Sequence, residues 1–138
     1  MFYAVIDTNV IVSSLFTKNR DAATVKIMEK VFDGTIKPVL HKKIISEYEE
    51  VLSRKEFPFT KEAIETVINA IKDNALYFNG IPADEHVNDP KDVIFYEVTL
   101  DARQYSETYL VTGNIKDFPI RPFIVTPREM LDIIEKNS

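Results

Sequence analysis

The chain predicts an α/β fold: a three-layer α/β/α sandwich around a mainly parallel central sheet of about four to five strands. Short β-branched and aromatic runs alternate with amphipathic helical stripes along the whole sequence. Helix punctuation, in the form of caps, prolines and a glycine stop, separates those runs. Acids and amides follow two strand-like runs directly, at Asp7 and at Asn114.

Phe2–Ile6 reads as a buried strand, because it is short, β-branched and aromatic with little alternation. Val10–Phe16 is apolar and fits a helix or a loop equally well. Over Asp21–Phe32, Ala22, Val25, Met28 and Val31 recur at helical spacing, and Gly34 stops the pattern. Ile36–Leu40 is a second strand, and its Pro38 predicts a sheet edge. Lys42–Lys55 is a helix with Ile44, Ile45, Tyr48, Val51 and Leu52 on one face, ended by Pro58. Thr60–Asn74 is a helix striped by Ala63, Ile64, Val67, Ile68 and Ile71.

Leu76–Phe78 is a brief strand, and residues 80–88 are polar loop. Asp89-Pro90-Lys91-Asp92 reads as a helix start, with Asp89 as N-cap and Pro90 in the first turn, and the helix runs on through Val93–Leu100. Thr108–Thr112 is a strand ending at Gly113, and Pro122–Val125 is the last strand. Thr126-Pro127-Arg128-Glu129 is a capping box that opens the C-terminal helix.

A length of 138 residues with no repeat, linker or low-complexity tract predicts one domain over residues 1–138. No long apolar run offers a membrane span, and the first residues lack a signal-peptide pattern. Zero cysteines exclude disulfides, thiolate metal sites and cysteine nucleophiles. Together these point to a cytoplasmic protein. The net charge of −5 argues against broad electrostatic coating of nucleic acid. It leaves room for a narrow site where acids gather around a cation, and for a basic protein partner.

In an open α/β sheet, ligands bind beyond the carboxyl ends of the strands, at the switch in strand order. That rule puts Asp7 and Asn114 on one edge, with Asp117 a turn beyond Asn114. A carboxylate between two apolar runs is costly unless paired, hydrogen-bonded or bound to a cation. Helix capping is the structural alternative for Asp7, as it is for Asp89 and Asp92. Wound at 100° per residue, Glu47 stands just outside the apolar arc of its helix, where core meets surface. A salt-bridged boundary glutamate is the alternative there.

The pieces VIDTNV, SEYEEVL, NDPKDVIF and LVTGNIKDF occur in that order across nearly the whole chain. This pattern resembles the PIN-domain family of metal-dependent ribonucleases, and within it the branch of toxin components of toxin–antitoxin pairs. The resemblance implies Asp7, Glu47, Asp92 and Asp117 as the catalytic, metal-holding acids, with Asn114 assisting. Thr8, Asn9, Asp89 and Thr112 would orient them as neighbours. Asn114 stands where many members carry aspartate; an amide oxygen ligates a hard cation but brings no charge. The stretch 100–104 is also more polar than the small apolar helix end the resemblance implies.

Acid-rich, cysteine-free ligand sets suit Mg²⁺ or Mn²⁺, and one or two such ions serve phosphodiester hydrolysis. The expected function is therefore a metal-dependent endoribonuclease, the toxin of a type II pair, with a small antitoxin protein as partner. A homodimer is compatible with this branch. The alternatives are a catalytically weak or inactive PIN-fold binding module, or a metal-dependent nuclease acting on DNA. A haloacid-dehalogenase-type phosphatase would need an aspartate where Asn9 stands, and a receiver domain would need paired acids before its first helix.

His41 and His86 belong to no pattern, and Ser13 is a weaker phosphate contact. Lys18, Arg20, Arg54, Lys55, Lys91, Arg103 and Lys116 are candidate RNA contacts, each with solvated surface charge as the simpler reading. Phe2, Tyr3 and Phe16 read as core residues, not base-stacking platforms.

Overall fold

The computed structural model describes residues 1–137. The element order is β1 (Phe2–Ile6), α1 (Thr8–Phe16), α2 (Ala23–Phe32), β2 (Ile36–Leu40), α3 (Lys42–Leu52), α4 (Lys61–Asp73), β3 (Leu76–Tyr77), α5 (Val93–Arg103), β4 (Thr108–Val111), β5 (Ile124–Val125) and α6 (Pro127–Lys136). Two 3-10 turns, Pro90–Asp92 and Ile115–Asp117, interrupt the loops. The strands form one sheet in the order β3-β2-β1-β4-β5, and every neighbouring pair is parallel. With its helices the sheet makes the α/β sandwich that the alternating pattern predicts. No helix among the described residues is long and apolar enough to cross a membrane.

β1 is central because it is buried from both faces: Ala4, Val5 and Ile6 are sealed from solvent. α5 packs across β1, β2 and β4, while α2 packs on α1 and α6, and α3 on α4. Ile27, Ile36, Leu40, Ile44, Phe95, Leu110 and Met130 join the strands in one core. At about 25 cal/mol per Å² of apolar surface removed from water, this burial is the main force holding helices to sheet.

Several expectations are corrected. Pro38 does not mark an edge strand, since β2 lies between β1 and β3. Pro38 is paired with Ala4 of β1, while β3 pairs only with Val39 and Leu40, so Pro38 meets no partner on the β3 side and its missing N–H is tolerated there. The ambiguous run after Asp7 is a helix, and it begins at Thr8. α3 ends at Leu52, well before Pro58. The last strand is shorter than expected, Ile124–Val125. The capping box forms as read: Thr126 accepts from the Glu129 amide, and Glu129 accepts from the Thr126 amide.

The polar end of α5 also finds its reason. Asp101 accepts a hydrogen bond from the Gly80 amide at 3.0 Å. Arg103 donates to the Thr108 carbonyl at 2.7 Å and lies over the Phe123 ring, 4.3 Å from its centroid. These groups tie the helix end to the preceding loop and to the start of β4. Arg103 is thereby engaged in structure and is not a free RNA contact.

Candidate active site

Chain order rises from β1 to β3 on one side of the sheet centre and continues through β4 and β5 on the other. The strand order therefore switches between β1 and β4, where a crevice opens beyond their carboxyl ends. Asp7 leaves β1 at this point, and Thr112, Gly113 and Asn114 leave β4 beside it.

Asp7 occupies the N-cap position of α1, yet its side chain makes no cap hydrogen bond. Its Oδ2 instead accepts from Thr112 Oγ1 at 2.7 Å and from Asn9 Nδ2 at 3.3 Å. Thr112 Oγ1 in turn accepts from the Asn114 amide at 3.0 Å. Asn9 Oδ1 accepts from the Gly113 amide at 3.0 Å. A Cβ at Gly113 would sit 3.3 Å from that Oδ1, so glycine permits the close approach. The hydroxyl and amide neighbours of Asp7 thus lock the start of α1 to the end of β4.

Tyr48 secures the same strand end from the other side. Its ring is buried beside Phe95, and its hydroxyl donates to the Ile6 carbonyl. This bond fixes α3, and with it the neighbouring Glu47, against the exit of β1. Burial pushes the Tyr48 hydroxyl pKa far up, so it stays a donor.

The loop before α5 is pinned to the turn after β4. The Asn88 amide donates to the Asp117 carbonyl at 3.1 Å, and Asn88 Nδ2 to the Lys116 carbonyl at 3.3 Å. Asp89 caps the Pro90–Asp92 turn by accepting from the Lys91 amide at 3.0 Å. Asp92 is half-buried at the start of α5 and makes no cap hydrogen bond, so capping does not account for it.

A cavity of about 860 Å³ collects these residues: Asp7, Thr8, Asn9, Asp89, Asp92, Asn114 and Asp117 line it, with Ser13 further along. Ser13 is already bonded to Thr24, hydroxyl to hydroxyl, at 3.1 Å. Thr112 lies behind Asp7, fully buried. Glu47 is set apart from this lining. It faces an adjoining cavity of about 620 Å³ with Lys43, Glu50 and Lys91. Its charge still reaches the acids: it contributes to raising both Asp7 and Asp92.

Burial raises the Asp7 pKa above its ordinary value, against the Thr112 hydrogen bond, which lowers it, and with smaller repulsion from Asp117 and Glu47. Asp92 is pushed up to about 7, first by desolvation, then by the charges of Asp7, Asp89, Asp117 and Glu47. The cavity is therefore an electronegative hollow in which burial and neighbouring charge both oppose ionisation of Asp7 and Asp92. Among the described residues no three acids are drawn close enough to hold one ion directly. The donor set itself is all oxygen, which suits a hard divalent cation that keeps part of its water shell. Thr8 Oγ1, buried at the wall without a partner, adds one more unused oxygen.

Of the histidines, His41 caps α3 through Nδ1, which accepts from the Lys43 amide at 3.0 Å. Sequence reading missed the apolar part of the lining, Phe16, Phe57, Val12 and Val51; Arg54, a candidate RNA contact from the sequence, lines the cavity with them. Phe16 is 58% exposed and is not a core residue, which corrects the expectation for it. The segment Phe57-Pro58-Phe59 after a helix end was the available signal, although Phe59 packs against the core and only Phe57 lines this cavity. Phe2 and Tyr3 do pack on the core.

A family model described as PIN domain matches residues 3–116. The match includes Asp7, Glu47, Asp92 and Asn114 and stops one residue short of Asp117. No curated protein and no solved structure matches the chain. PIN domains are generally nucleases, a class of activity that suits an acid-lined crevice at the switch point. With the family model spanning most of its length and the sheet and crevice arranged as described, this chain belongs to the PIN-domain family.

Proposed function

We propose that the protein is an Mg²⁺- or Mn²⁺-dependent endoribonuclease that hydrolyses RNA phosphodiester bonds, acting in the cytoplasm as the toxin of a type II toxin–antitoxin pair. The observation that supports this reading is the meeting of Asp7, Asp89, Asp92 and Asp117 in one cavity from three separate chain segments. Carboxylates that repel one another without a counterion become an asset when one arrives.

Asp7, Asp92 and Asp117 are the residues that would hold the ion through direct or water-bridged contacts, with the Asn114 amide oxygen assisting and Glu47 reaching it through water. A bound divalent ion supplies charge neutralisation and water activation for phosphodiester cleavage. The chain supplies the rest. Thr112 and Asn9 hold the Asp7 carboxylate in one orientation through the hydrogen bonds described. Asp89 shapes the turn that presents Asp92. The raised pKa of Asp92 lets that carboxyl carry a proton near neutral pH until a cation displaces it. Asn114 in place of an acid removes one negative charge, which favours one firmly held ion over two.

Purified protein is to be incubated with structured RNAs in Mn²⁺ and in chelator, beside Asp7→Asn and Asp92→Asn. Cleavage that needs Mn²⁺ and is lost in both variants supports the reading. Equal cleavage by wild type and variants exposes contamination. No cleavage of any RNA, with no Mn²⁺ bound in titration, favours a binding module; cleavage confined to DNA favours a DNA nuclease. For the toxin role, expression is expected to arrest growth, and a small protein encoded in an adjacent reading frame to restore it. A gene with no such companion would count against that role.

A further inference from the structure

The cavity has two chemically different halves, and only the acidic half serves the proposed cleavage. The other half carries two aromatic rings, Phe16 and Phe57, while Phe59, which stacks on Phe57, lies outside the lining. Phe16 ends α1, and Phe57 and Phe59 flank Pro58 in the segment after α3. Phe57 and Phe59 stack, with ring centroids 5.4 Å apart and planes 14° off parallel. Phe16 stands edge-on to both, at 6.2 Å and 75° from Phe57 and at 6.3 Å and 83° from Phe59. The rings brace one another, and Pro58 restricts the backbone between two of them.

Phe16 is 58% exposed at the end of α1. Phe16 and Phe57 line the same cavity as Asp7 and Asp92, beside Arg54, the one cation lining it among the described residues. α1 carries Thr8 at the acid end and Phe16 at the aromatic end, about 12 Å along its axis at 1.5 Å per residue. An uncharged flat ring suits the aromatic half, and a phosphate suits the acidic half once a cation is bound. A single-stranded nucleic acid presents those two groups side by side, whereas a duplex keeps its bases stacked inside.

We infer that Phe16 and Phe57 form a base-stacking platform, which receives an unpaired base a nucleotide or two from the scissile phosphate, with Arg54 beside the connecting backbone. This inference rests on the nuclease reading and adds to it the place where a base is held. Stacking on aromatic side chains tolerates any base, so the platform sets the position of the cut more than its sequence.

The test uses single-stranded RNA carrying 2-aminopurine at successive positions, bound to the full chain with Ca²⁺ as the divalent ion. Fluorescence quenching at one position reports stacking. Phe16→Ala is expected to abolish that quench and weaken binding about 5- to 100-fold, while Phe16→Tyr keeps both. Phe16→Ala removes two edge-on ring contacts, so thermal unfolding is followed to show that the variant is folded at the assay temperature; Phe57→Ala provides a second removal. Binding without a quench, or equal affinity and quench in Phe16→Ala and Phe57→Ala, overturns the platform and leaves the wall to a protein segment. Asp7-dependent cleavage in Mn²⁺ would survive that result. No RNA binding by wild type overturns the platform and the nuclease reading together.

Discussion

Asp92→Asn is expected to make the metal-free protein more stable at alkaline pH while weakening its hold on divalent cations. The folded carboxyl titrates at about 7 against an ordinary value of 3.8. Its folded value is raised, so its contribution to stability is fully present below the ordinary value and is lost as pH rises to the folded one. At about 1.36 kcal/mol per pH unit, that interval corresponds to about 4 kcal/mol for an unscreened group. Asp92 is only half-buried, and solvent screening reduces this to about 1–2 kcal/mol. Asparagine keeps the shape and removes the charge. Urea unfolding in chelator is the assay. The variant should match wild type at about pH 4 and exceed it by about 1–2 kcal/mol at about pH 8. Added Mn²⁺ should then raise the wild-type midpoint more than the variant's. A variant equally destabilised at both pH values would refute the reasoning, because Asp92 would then be a structural hydrogen-bonding group and not a repelled charge.

The remaining predictions concern the groups around it. Tyr48→Phe leaves the Ile6 carbonyl buried without its donor and should cost about 1–3 kcal/mol in urea unfolding; no loss would show that this bond does not secure β1 to α3. Thr112→Val removes the donor to Asp7 and the acceptor for the Asn114 amide. It should lower stability by about 1–2 kcal/mol and reduce Mn²⁺-dependent cleavage, and unchanged cleavage would separate Thr112 from the site. Asn114→Asp adds a carboxylate to the cavity. It is expected to tighten Mn²⁺ binding by calorimetry and to lower metal-free stability at alkaline pH; a loss of Mn²⁺ affinity would place Asn114 outside the ion's reach.

Much of this architecture is legible in the sequence because local rules and tertiary packing agree there. β1 is apolar on both faces, as an interior parallel strand must be, and the limits of β1 and β2 match the reading. The Thr126 capping box forms because its two hydrogen bonds are local. Legibility fails where a distant segment decides. Pro38 reads as the mark of an edge strand, and only the distant β3, pairing just past it at Val39 and Leu40, makes β2 interior. From spacing alone Asp92 reads equally well as a helix-start acid; the resemblance marks it as a metal-holding acid, since spacing cannot show that it lines one cavity with acids of other segments.

The Phe16 side chain reads as core because an apolar run carries no sign of which end meets a cavity. Glu47 illustrates the limit of helical geometry: the wheel puts it at the core boundary, and the fold sets it in an adjoining groove. Arg103 looks like a free cation until β4 and Phe123 come beneath it.

The central claim is that acids from separate segments share one hard divalent ion. Crystals soaked in Mn²⁺ and measured at the manganese absorption edge test it most directly. The account predicts an anomalous peak in the cavity between Asp7, Asp92 and Asp117 that disappears in Asp7→Asn. An empty cavity at saturating Mn²⁺, or a peak that persists without the Asp7 carboxylate, would contradict it.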